Sequence, residues 1–334
     1  MENRTRIREF LLLGFTENHK LEIFLFCLIL IMYLMTVTGN ILIIVLTLMD
    51  FRLRTPMYFF LRNYAVLEIG YTTAAIPAAL INLASGRKTI SYIGCLSQSF
   101  LYFSLGTTDF FLLTVMSFDR YVAICNPLRY TAIMNERFCT LLVLISWLGG
   151  FAVIFGQTML FIQFPFCGSN IIDHFFCDNR PLLNLLCGDT RLLELLGFIL
   201  AVFSLLGTLA ITIVSYLKII STVLRIPTAA GRQKAFSTCA AHITVVSVTY
   251  GSCISMYIIP GQGDEQNFNK VVAVLNNVVC PLMTPFVYSL RNKQVQDALK
   301  DAFDCQVPLY KMQKMPWRLK AEAKKEEGDV ESRT

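Results

Sequence analysis

Charge and histidine are both scarce in this sequence. Asp, Glu, Lys and Arg make up only 16% of its 334 residues, against about a quarter in an ordinary soluble domain. That scarcity excludes a soluble globular fold. The net charge of +6 gives no reason to invoke nucleic acid, because it is explained by a basic cytoplasmic side. His19, His174 and His242 are the only three histidines and lie in separate places, with no nucleophile–base arrangement, which argues against an enzyme. Alternating ten-residue segments are missing, so a membrane barrel of strands is not expected. There is no inverted repeat and no matched pair of broken hydrophobic segments. A transporter or channel is therefore the second reading, kept because acids inside a membrane also mark ion paths. No cleavable leader is expected at the start of the chain.

What is present is apolar. Hydrophobic residues make up 55% of the chain, 26 of them Phe, and a bilayer is the solvent such a composition fits. A spanning helix needs about 20 mostly apolar residues. Seven stretches qualify, at 23 to 49, 57 to 83, 96 to 118, 139 to 161, 192 to 222, 237 to 260 and 271 to 290. The reading is an all-α membrane protein, a seven-helix bundle over 23 to 291. A tail at 1 to 22 precedes it; an amphipathic helix at 292 to 304 and a charged tail at 305 to 334, expected to be disordered, follow.

Loops and adjoining span ends on one side hold nine Lys or Arg and those on the other five, and the segment from Arg291 adds ten to the richer side. The positive-inside rule then puts the N-terminus outside and the C-terminus in the cytoplasm. Asn3, in the only N-x-S/T sequon, falls in the outer tail and is a glycosylation candidate. Four of the eleven cysteines lie on the oxidising side, where two disulfides allow three connectivities. The preferred pairing is Cys95 with Cys177, which staples the long outer loop across the third span, and Cys167 with Cys187, which closes a compact lid. A metal site at His174, Cys177 and Asp178 is the weaker reading of that loop. Cys305, in the tail, is a candidate for palmitoylation.

An Asp119-Arg120 pair ends the third apolar run, in "MSFDRYVAICNPLRY" at 116 to 130. Burying such a pair costs several kcal/mol; where the span meets the cytoplasm it is expected to be partly wet and able to open as a latch. Glu68 lies twelve residues past Pro56 and Asp109 eleven before Arg120, so at about 1.5 Å per residue both sit at one depth, roughly 16 to 18 Å from the inner face. Two carboxylates there cannot both stay ionised without a shared proton or cation. A sodium or proton site at Glu68 and Asp109, with Asn40 and Thr284, is the resulting expectation.

Together with the seven spans, the stretches "PMYFFL" at 56 to 61, "MSFDRYVAICNPLRY", "SY" at 215 to 216, "KAFSTCAAH" at 234 to 242 and "TPFVYSLRN" at 284 to 292 resemble, in order, the signatures of odorant receptors. These are rhodopsin-like (class A) G-protein-coupled receptors, and the resemblance covers roughly residues 1 to 303. The chain departs from the pattern where the family's span-two Asp is Glu68 and its span-three Glu is Asp109, which looks like a swap. Thr284 replaces the usual Asn, Ala241 the usual Ser, and the final tail is longer and more charged.

The resemblance implies a receptor for small volatile odorants that activates a stimulatory, olfactory-type G protein to raise cAMP at the plasma membrane. By the same likeness Asp119 holds Arg120 at rest, beside Tyr121. When span six swings outward, Arg120 reaches toward the G protein and toward Tyr216 and Tyr288, the latter in the Pro285 motif. Helical counting puts Tyr102, Phe103, Gly106, Thr107, Leu200, Ser204, Cys253, Ile254 and Tyr257 near a pocket between spans three, five and six. With no acid one or two turns past Cys95 and no span-seven lysine, its ligand is expected to be small, neutral and largely hydrophobic. Tyr250 sits below that pocket, as the candidate that converts ligand contact into movement of span six.

Overall fold

The computed structural model describes residues 8 to 303 apart from 17, 87, 168, 258 to 264 and 292; Asn3, Cys305 and the charged tail lie outside that set. Among the described residues, eight helices of more than ten residues organise the chain. They are α1 (His19–Met49), α2 (Pro56–Ser85), α3 (Tyr92–Cys125), α4 (Glu136–Phe161), α5 (Arg191–Leu224), α6 (Ala229–Tyr257), α7 (residues 265 to 291) and α8 (Lys293–Phe303). Six are long and apolar enough to cross a membrane by length and composition. The seventh, α6, carries a shorter apolar stretch, Cys239–Ser255. Several helices outrun the apolar windows that reveal them: α3 continues past residue 118 to Cys125, and α6 begins at Ala229. A helix ladder satisfies its own backbone polar groups, so it does not stop where the side chains turn polar.

The helix ends follow local chemistry. Asn18, Ser91 and Asn135 each accept a backbone N–H at the start of α1, α3 and α4, supplying an orphan donor with its partner. Pro56 opens α2, where a missing N–H is harmless. Asn126 precedes Pro127, which disfavours helical backbone at Asn126, and α3 ends at Cys125.

Packing inside the bundle depends on small residues at crossings. At Gly150 of α4, an added Cβ would meet Thr108 Oγ1, stand 2.9 Å from the Thr108 backbone nitrogen and 3.0 Å from the Ser104 carbonyl oxygen of α3. Backbone cannot rotate aside as a side chain can. Gly150→Ala should therefore lower stability by about 1–3 kcal/mol. Gly156→Ala, whose Cβ would meet nothing within 4 Å on the same helix, is the matched control. Thermal melting of the purified protein separates them, and equal melting would contradict the crossing.

Strands do occur, outside the spans. Glu9–Leu12 (β1) lies between Thr89–Ser91 (β2), with which it is antiparallel, and Ile171–Ile172 (β3), with which it is parallel. The N-terminal segment is thus a strand of a small cap and not merely a tail. Phe10, 0% exposed, and Leu12 bury into a cluster with Cys95, Ile172 and Cys177. At the opposite end, α8 packs Val295 and Ala298 against the main core. The Arg52 guanidinium sits 2.6 Å from both Asp50 and Asp301, tying α8 to the turn between α1 and α2.

Candidate functional site

Two groups of functional side chains occupy opposite ends of the bundle. The first surrounds Arg120 in the last turns of α3. Its Nε donates to Asp119 Oδ2 at 2.9 Å, and its Nη2 donates to the same oxygen. The other carboxylate oxygen, Oδ1, accepts from the Tyr130 hydroxyl at 2.8 Å. Asp119 is 1% exposed and Arg120 8%, which corrects the expectation of a partly wet pair. The short helix Tyr130–Ile133 after Pro127–Arg129 brings Tyr130 over the carboxylate and closes the pair from water. Sequence reading missed Tyr130 because the contact depends on the path of the loop, although the residue lies inside the quoted motif.

Tyr121 packs at the edge of the core beside Ile219, Val223 and Cys239. Tyr216 and Tyr288 make no bond to Arg120 here. The Tyr216 hydroxyl pairs with His242 Nδ1, and Tyr288 is buried with its hydroxyl unpartnered. Pro285 of α7 lies against α1, where a Cβ at Gly39 would come within 2.9 Å of its ring.

The second group forms a cavity of about 280 Å³. Tyr102, Phe103, Gly106, Thr107, Leu200, Ser204 and Cys253 line it. Ile254 does not and packs instead against the main core, one residue round the helix from Cys253. The Tyr257 side chain lies outside the described residues. The cavity is wider than spans three, five and six alone would make it. Tyr71 of α2, Val153 and Gln157 of α4, Asn276 and Pro281 of α7, and Asn179 and Arg180 of the loop before α5 also line it.

Two π turns account for part of this. Phe203–Gly207 interrupts α5 and Leu275–Val279 interrupts α7, and each supplies a polar lining residue, Ser204 and Asn276. A wider turn changes which face later residues present, and such turns favour functional sites. Tyr250 packs on the lining residue Phe110, with ring centroids 5.1 Å apart.

Glu68 and Asp109 line the same cavity, although sequence reading placed them at a site of their own. Glu68 Oε1 accepts from the Thr284 hydroxyl at 3.4 Å. Glu68 Oε2, Asp109 Oδ1 and Asn40 Oδ1 are buried without a hydrogen-bond partner. Two carboxylates, an amide oxygen and a hydroxyl are hard oxygen donors of the kind sodium accepts, so the residues fit that ion. Among the described residues, no cluster of three or more His, Cys, Asp or Glu forms a metal-ligand set.

Both disulfides belong to the end that carries the strands. Cys95 is bonded to Cys177 and Cys167 to Cys187, each pair with Cα atoms 5.5 Å apart. The bond to Cys95 removes Cys177 as a metal ligand beside His174. His174 is 3% exposed, and both ring nitrogens lack partners. It is wedged against Phe175 and Phe176 at 4.6 and 4.5 Å. The neighbouring Lys270 Nζ donates to Asp173 Oδ1 at 2.7 Å.

Burial holds the His174 ring below the usual histidine range; Lys270 pushes the same way, while Asp178 and Asp173 pull upward. The closed lid thus refuses a proton that an opened lid accepts, so its stability is present above about pH 6.5 and is lost as pH falls. Protection of the Leu11 and Leu13 amides, which donate to the Asn170 and Ile172 carbonyls, should fall between about pH 7 and 5.5 when exchange is taken relative to its intrinsic rate, which itself slows over that range. His174→Phe should flatten that change; an identical pH response would assign it elsewhere.

A family model described as "Olfactory receptor" matches residues 26–306. Mouse olfactory receptor 6E1 is 55% identical over 302 residues, covering 90% of this chain and 96% of that protein. Human olfactory receptor 6C1 is 53% identical over 298 residues, covering 89% and 96%. The crystal structure of squid rhodopsin superposes with a TM-score of 0.65 at 16% identity, covering 87% of each chain, a likeness of fold. The chain belongs to the olfactory receptor family: it is a multi-pass, seven-helix G-protein-coupled receptor, and not an enzyme.

Proposed function

We propose that this receptor binds a small, largely hydrophobic, volatile molecule in the cavity and activates a stimulatory, olfactory-type G protein through its Arg120 face, raising cAMP. The observation that carries this reading is the pairing of two sites along one helix. The cavity residues Tyr102 to Asp109 and the latch at Asp119 and Arg120 share α3. Phe110 and Tyr250 join the cavity wall to α6, the helix whose outward swing would release the latch.

The N-terminus faces outward at the plasma membrane and the C-terminus the cytoplasm. This rests on nine basic residues against five in the two sets of loops and adjoining helix ends. It rests also on the disulfides, which favour an oxidising compartment, at the end with β1. Asn3 is then available for glycosylation, and α8 lies along inner-leaflet lipid. Glu68 and Asp109, with Asn40 and Thr284, hold a sodium ion or a shared proton in the resting receptor. Glu68→Gln should alter the sodium dependence of signalling, and unchanged dependence would remove that ion.

The deciding experiment measures cAMP in cells expressing the receptor with a stimulatory G protein, across small volatile hydrophobic compounds, beside Arg120→Ala. A ligand-dependent rise lost in the variant is expected. Silence of both across the panel, with surface expression verified, would overturn the coupling assigned here.

A further inference from the structure

The floor of the cavity differs from its walls. Leu67, Phe103, Phe110, Val153 and Leu200 give the walls an apolar surface, yet Glu68 and Asp109 open onto the same space. Each presents a buried carboxylate oxygen with no hydrogen-bond partner, Oε2 of Glu68 and Oδ1 of Asp109, and Glu68 as a whole is 4% exposed. The charged lining residues are Glu68, Asp109 and Glu194 against Arg180 alone, three negative to one positive. Arg180, in the loop, and Glu194, in the first turn of α5, belong to the disulfide end, so no lining cation meets the two acids.

We infer that the ligand of this cavity is a small aliphatic amine whose ammonium group sits between Glu68 and Asp109 while its hydrocarbon body lies along the apolar wall. This rests on the reading of the cavity as the receptor's ligand site. It departs from the neutral ligand suggested by spans three, five and six, because the acids join that pocket.

An ammonium has three donors and no acceptor. It offers one to each orphan oxygen, and such charge-assisted bonds are about twice as strong as neutral ones. Buried carboxylates without a counter-charge are expensive, and a cation removes that expense. A ketone or ester brings only lone pairs to the floor, and a carboxylate adds like charge. The volume, about 280 Å³, is within about twofold of the roughly 150 Å³ engineered cavity that accepts benzene, which limits the ligand to a small molecule. Sodium and the ammonium group want the same oxygens, so each excludes the other.

The test is thermal melting of the purified full-length receptor with hexylamine, hexanol, 2-hexanone or hexanoic acid, in sodium buffer and in potassium buffer of equal ionic strength. Hexylamine should stabilise most, hexanol and 2-hexanone weakly, and hexanoic acid not at all. Its half-saturating concentration should rise at least threefold in sodium and about tenfold or more in Asp109→Asn and in Glu68→Gln. The sodium comparison uses the unaltered receptor and stands even if a variant fails to fold. The inference is overturned if hexanol stabilises as well as hexylamine, if no compound stabilises, or if the amine's effect ignores both sodium and the substitutions. Stabilisation by the amine with no cAMP response to any compound would instead overturn the signalling reading and leave the amine site intact.

Discussion

Asp119→Ala should switch the receptor on without ligand. In the resting form Arg120 is 8% exposed, and both oxygens of its counter-ion are engaged, one by Arg120 and one by Tyr130. Removing one partner of a buried pair costs about 3–5 kcal/mol, because the remaining charge is stranded. In an active form with Arg120 turned toward a G protein, that charge has other partners, so the penalty falls on the resting form. A shift of only about 1.4 kcal/mol changes the ratio of the two forms tenfold.

Ligand-free cAMP at equal surface abundance should rise several-fold. Tyr130→Phe should act in the same direction but less, since it deletes one hydrogen bond to a charged acceptor, worth about 1.5–3 kcal/mol. Basal cAMP at the level of the unaltered receptor in both variants would show that Asp119 does not restrain activation.

The second large effect is expected from Cys95→Ser. The Cys95–Cys177 bond spans 82 residues of sequence and the Cys167–Cys187 bond spans 20. Loop-closure entropy assigns them about 4.5 and 3.3 kcal/mol as upper values, because the spans themselves restrict the unfolded chain. Cys95 and Cys177 are also fully buried, with Phe10 and Leu12 of the N-terminal strand packed in the same cluster. Against a total stability of about 5–15 kcal/mol, Cys95→Ser should remove most receptor from the cell surface, and Cys167→Ser a smaller part. Quantitative surface labelling gives the order; equal loss from both would show that the longer closure carries no extra weight.

The spans were legible because hydrocarbon demands about 20 apolar residues in a row, and only the sixth, with its short run Cys239–Ser255, is weakly marked. The shared depth of Glu68 and Asp109 followed from counting residues along two helices. Their opening into the ligand cavity did not, since depth leaves rotation about the helix axis undetermined. Both Cys253 and Ile254 touch the core, and rotation decides that Cys253 alone of the two lines the cavity. The contributions of Asn276 and Ser204 come with π turns that carry no strong sequence mark. The Asp119-Arg120 motif announced itself, whereas its closure by Tyr130 depends on how a loop folds back. The three strands escaped notice because runs of four, three and two residues are too short for an alternation to register.

The cap has a consequence for the order of assembly. Its central strand, Glu9–Leu12, is made first by the ribosome, but its neighbours Thr89–Ser91 and Ile171–Ile172 exist only after two and four further spans. That strand must therefore wait, with Phe10 and Leu12 uncovered, until more than 150 later residues have crossed or entered the membrane. Maturation then ends on a strand made before all seven spans, and a factor that shields that strand would act during that interval.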